Sequence, residues 1–166
     1  MIPFKTSPEQ VLALASIMVE MKNAGLDHEF IVKASELGRT DQGVYDLMAL
    51  WLDASSDPAE RDEVIADLQE SIDDYAEAPQ EPVHKPYIKF DQLDDVAQRV
   101  MAEKAKLRQV IDKHGGVSAV AQKSGIPQPS LSRMLNSPSI PRRSTLYKIA
   151  NALNLSETDI AMEWTR

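Results

Sequence analysis

Gln128, Ser130, Ser132 and Arg133 lie close together in the chain and carry an amide, two hydroxyls and a guanidinium, with no carboxylate among them. An amide pairs with the edge of adenine and a guanidinium with O6 and N7 of guanine, so this set is suited to reading base edges in a major groove. Pro129, between them, offers an apolar surface for a thymine methyl. Lys123, Asn136, Arg142, Arg143 and Lys148 flank the group and are expected to hold phosphates, which position a protein on a duplex without reading its sequence.

Such side chains work only if one short helix presents them together. Val120-Ala121-Gln122-Lys123-Ser124-Gly125-Ile126 places a small residue four before a glycine, with Val120, Ile126, Leu131 and Met134 apolar around them. That is the spacing of two helices crossing at a tight turn. Ala121 is small where the second helix crosses the first, and Gly125 falls where the turn favours positive φ. Pro127 and Pro129 bias the residues before them away from the α region, so the second helix is expected to start with Gln128 as cap and Pro129 as first residue. Leu131 and Leu135 then face inward, and Gln128, Pro129, Ser130, Ser132 and Arg133 face out.

Residues 121–125, 128–136 and Ser144-Thr145-Leu146-Tyr147-Lys148-Ile149-Ala150-Asn151-Ala152-Leu153 resemble the helix-turn-helix domain of the lambda-type phage repressor and Cro (Xre-like) family, over about residues 103 to 160. The resemblance implies a five-helix DNA-binding domain acting as a dimer on a palindromic operator. It also implies that Gln128, Pro129 and Arg133 face bases while basic residues of the following loop hold phosphates. Pro129 departs from the polar residue often found at that place, so one base contact is either missing or replaced by packing on a thymine methyl.

Charge divides the chain. The net charge of −8 combines 7 basic and 18 acidic residues over 1–90 with 11 basic and 8 acidic over 91–166. Between Arg99 and Ala150 there are 10 basic residues against Glu103 and Asp112 alone, a window that attracts a duplex while the first half repels it.

The organisation expected is all-α: an acidic domain of about four helices over 1–76, a proline-rich linker over 77–90 and the DNA-binding domain over 91–166. Ser7 and Pro8 open a helix running to Asn23-Ala24-Gly25, apolar over most of its circumference and so expected to be buried on several sides, either inside its own domain or against a second subunit. A second spans Asp27 to Leu37. Thr40 and Asp41 open a third, with Val44, Leu47, Met48 and Trp51 on one face. Asp57 caps a fourth, with Pro58 in its first turn, Glu60 completing an acidic capping box, and a buried stripe of Val64, Ile65, Leu68, Ile72 and Tyr75. A long helix follows from Asp91 to the glycine stop at His114-Gly115-Gly116, its turns at 92–102 exceeding what the Xre-like fold needs. Ser144 is expected to cap the next helix, and Ser156-Glu157-Thr158-Asp159 a last one holding Ile160, Met162 and Trp164.

Other chemistries find little support. Cysteine is absent, which removes disulfides and thiolate zinc sites. His28, His84 and His114 stand far apart, and no phosphate-binding glycine loop or nucleophile elbow is present, so neither a metal, a cofactor nor an enzymatic activity is expected. The N-terminus lacks a signal pattern and no apolar run approaches membrane length, so a cytoplasmic protein with no membrane partner is expected. Two functions fit: a transcriptional regulator, read as a homodimeric repressor whose acidic half dimerises it or senses a signal, and an antitoxin whose acidic half covers a basic toxin.

Overall fold

The computed structural model describes residues 4–77 and 93–156, and every regular element among them is an α-helix. In chain order these are α1 (Pro8–Asn23), α2 (His28–Gly38), α3 (Gln42–Asp53), α4 (Pro58–Ala76), α5 (Leu93–Lys113), α6 (Gly116–Ser124), α7 (Gln128–Asn136) and α8 (Arg143–Leu153). The chain separates into two compact units, Met1–Gln80 and Glu81–Arg166. Most of the proposed linker, the Asp91 cap and the last proposed helix lie outside the described residues.

In the first unit every helix begins on a side-chain cap. Ser7 and Gln10 form a reciprocal capping box on α1, Asp27 accepts from the Phe30 amide, Asp41 from Val44, and Asp57 from both Ala59 and Glu60. Each satisfies amide groups that the first turn cannot, a contribution of about 1 kcal/mol per cap. The helices enclose a core built on Leu14, Ile17, Met21, Phe30, Ile31, Ala34, Val44, Met48, Trp51, Val64, Leu68 and Ile72. Arg61 ties α4 to α3, its guanidinium 4.1 Å above the Trp51 ring and its Nε donating to the Trp51 carbonyl at 3.0 Å.

Within this unit α1 buries Leu14, Ile17 and Met21, while Val11, Leu12 and Val19 are exposed in the single chain, because α2 and α3 cover one side of it. One expectation differs from the structure: Tyr75 is 72% exposed rather than part of the α4 stripe. Ile72 is the last buried side chain of that helix, and its final turn has no core to face.

In the second unit α5 packs against α6 and α7, and α6 packs against α7 and α8. Leu107, Ile111, Val120, Ala121, Ile126, Leu131, Leu135, Leu146, Ile149, Ala150 and Leu153 make the core. Ala121 is 5% exposed at the crossing of α6 and α7, and Gly125 closes α6 at φ 70°, the left-handed conformation that a tight turn imposes. Helix starts differ slightly from the sequence reading. Pro127 rather than Gln128 is the cap of α7, and Arg142 rather than Ser144 is the cap of α8, since the extended backbone at Pro127 and Arg142 ends one residue before each helix begins. The early turns of α5 are unevenly covered: Leu93 and Met101 are exposed, whereas Val100 is fully buried.

Candidate nucleic-acid interface

The caps distinguish the two units. α6, α7 and α8 have no side-chain cap hydrogen bond: Gly115, Pro127 and Arg142 occupy the cap positions, and none supplies an acceptor. Their first-turn amides therefore lack the side-chain acceptor that serpentines through α1–α4 as Ser or Asp, and an external anion suits such termini well. Residues 113–156, which include all three helices, contain Lys113, Lys123, Arg133, Arg142, Arg143 and Lys148 and no Asp or Glu. A polyanion meets no carboxylate there.

α7 presents the side chains singled out for base contact. Gln128 is exposed, and Pro129, Ser132 and Arg133 are half-buried, each outside the core line of Leu131 and Leu135. Ser130 differs from the others: its Oγ is shielded from solvent and has no hydrogen-bond partner among the described residues. Ser132 Oγ accepts from Asn136 Nδ2 at 3.4 Å.

The residues expected on phosphates fall into three sets. Lys123, in the last turn of α6, and Lys148, on α8, are exposed. Arg142 and Arg143 stand at the cap and first residue of α8. Arg143 is held in part by Tyr147, to whose hydroxyl its Nε donates at 2.9 Å with the guanidinium 5.3 Å from the ring centroid. Asn136 is engaged within the protein, its Oδ1 accepting from Arg108 at 2.7 Å.

One functional group escaped the sequence reading. Lys104, counted there among the cations that attract a duplex, is 1% exposed. Its ammonium donates to the carbonyls of Met134 and Ser137 at the C-terminal end of α7. Burial lowers its pKa from 10.5 to about 8. The signal was in the periodicity: Val100, Lys104, Leu107 and Ile111 form one stripe at i, i+4, i+7 and i+11, and all four are buried.

Among the described residues, His28 is exposed on α2 and the His114 ring contacts the Val110 carbonyl at 2.8 Å. Among the described residues no three His, Cys, Asp or Glu side chains gather as a metal site, and no helix is long and apolar enough to cross a membrane.

Two helices crossing at a glycine turn, the second with an acid-free polar face, define a DNA-binding domain of the kind carried by transcription regulators. Residues 107–160 match the family model described as helix-turn-helix, of the Xre-like, lambda-repressor-like kind that the sequence of this C-terminal domain resembles. No curated protein and no solved structure matches the chain.

Proposed function

We propose that the protein is a repressor that occupies a palindromic operator as a homodimer, with α7 in the major groove of each half-site. The observation that carries this reading is the three helices α6, α7 and α8, uncapped by side chains and free of acid, around a polar helix face. In it Gln128 and Arg133 read bases, adenine and guanine respectively, and Pro129 packs on a thymine methyl. Ser132 lies on the same face, and Ser130, with its hydroxyl turned inward, supports the helix more than it reads. Lys123, Arg142, Arg143 and Lys148 take phosphates, and Asn136 contributes beside them once Arg108 has oriented its amide.

One α7 covers only a few base pairs, so specificity on a genome needs two, about 34 Å apart. The exposed apolar face of α1, with Leu12 71% and Val19 57% exposed, and the early turns of α5, where Leu93 and Met101 are exposed, are the contacts proposed for the second copy. The acidic unit opposes binding to random DNA and so raises selectivity.

Selection of bound duplexes from a random pool tests the proposal. The expected product is an inverted repeat with half-site centres about 10 base pairs apart. Enrichment of a single half-site overturns the dimer, and the absence of any enriched sequence overturns operator binding.

A further inference from the structure

We propose that Lys104 is the positioning residue of the recognition helix: from inside the domain it fixes where the C-terminal end of α7, and with it Arg133, stands against the duplex. This rests on the reading of α7 as the base-contacting helix. Lys104 lies on α5, outside residues 107–160 that match the helix-turn-helix family model, and touches no solvent.

The geometry is specific. Nζ donates to Met134 O, in the last turn of α7, and at 2.6 Å to Ser137 O, the first residue beyond it, whose backbone is already extended. One ammonium therefore holds two carbonyls that belong to different backbone conformations, and both bonds form only when helix end and following loop take one relative position. Four residues further along α5, Arg108 donates to the side chain of Asn136. Two basic residues one turn apart on α5 thus grip the end of α7.

That grip matters because α7 is short, at nine residues, and its start has no side-chain cap. Leu131 and Leu135 bury its inner line, but apolar packing is non-directional and tolerates small tilts and slides better than paired hydrogen bonds do. Arg133, immediately before Met134, moves with the backbone that Lys104 holds. An aliphatic side chain in place of Lys104 would avoid the desolvation of a charge, so stability alone does not explain an ammonium here. The C-terminal carbonyls of a helix are the favourable place for a cation, which offsets part of that cost.

The experiment compares full-length wild type with Lys104→Met, Lys104→Gln and Lys104→Arg. Affinities are measured on the sequence that the wild type selects and on random duplex, alongside amide hydrogen exchange without DNA. For Lys104→Met the expected result is a loss of about tenfold in preference for the selected sequence over random DNA, the scale of one impaired base contact. Random-duplex affinity and its salt dependence stay unchanged, because Lys104 touches no phosphate. Exchange accelerates at the Ser137 amide, which closes α7 on Arg133 O, but not at core amides of α8 such as Ile149. Lys104→Arg, which keeps charge and donors, recovers most of the preference. If Lys104→Met fails to fold, Lys104→Gln decides, with a loss of at least about threefold expected.

Unchanged preference in the folded Met or Gln variant overturns the proposal, as does an equal loss on both kinds of DNA. A wild type that selects no sequence overturns the operator reading instead. The local exchange at Ser137 then still decides whether Lys104 holds the end of α7.

Discussion

Arg133 and Gln128 differ in what they can read, and this makes their contributions separable. On the proposed interface, Arg133→Ala costs about 1–3 kcal/mol at one base-pair position and relaxes preference there, and Gln128→Ala does the same at another. Competition binding against single-position operator variants measures both, and a uniform loss over all variants contradicts base contact. Lys104 makes a prediction that needs no DNA. The unfolded chain keeps this proton up to about 10.5, whereas the folded chain releases it near 8, so between these values the unfolded state binds more protons and stability rises with pH. Wild type therefore gains stability relative to Lys104→Met as pH climbs through that window, and the difference between them is flat below about 8. Denaturant titrations of the pair at about pH 7 and about pH 9.5 check the sign, and a pH-independent difference contradicts the burial of the ammonium.

Among the elements, the turn between α6 and α7 and the helix starts of the first unit were the parts most legible in the sequence. Gly125 has open space where a Cβ would stand, so Gly125→Ala costs only the strain of φ 70°, about 1–2 kcal/mol in denaturant unfolding. A variant as stable as wild type would contradict the left-handed turn. Ser7, Asp27, Asp41 and Asp57 were readable because short polar acceptors before an amphipathic run have one common structural use. The boundaries of α7 and α8 were read one or two residues differently, since neither helix is marked by such an acceptor. Tyr75 was misjudged for a different reason: a helical period says which residues share a face, not whether a neighbour reaches that far. Lys104 was overlooked because a lysine is normally counted as surface, although its place between Val100 and Leu107 put it on the buried stripe. For the side chains proposed to meet DNA, the sequence supplied the types and the helix, while the shielding of the Ser130 hydroxyl and the engagement of Asn136 by Arg108 depend on tertiary contacts.

For the whole molecule, opposite charge on the two halves and an exposed apolar face on α1 bear on how tightly and in what form DNA is held. Removing residues 1–90, with 7 basic and 18 acidic side chains, raises affinity for random duplex at about 50 mM salt. A salt titration of fragment and full chain checks this, and equal or weaker binding by the fragment contradicts the opposing role of the acidic unit. Each of Lys123, Arg142, Arg143 and Lys148, replaced singly by Ala, makes the logarithmic salt slope shallower by about 0.9 if it neutralises one phosphate. The central claim is that α7 selects sequence, and it is tested most directly by parallel random-pool selections with wild type, Gln128→Ala and Arg133→Ala. The account predicts an inverted repeat for the wild type and, for each variant, the same repeat with information lost at one position in each half. Identical motifs from all three proteins would contradict it.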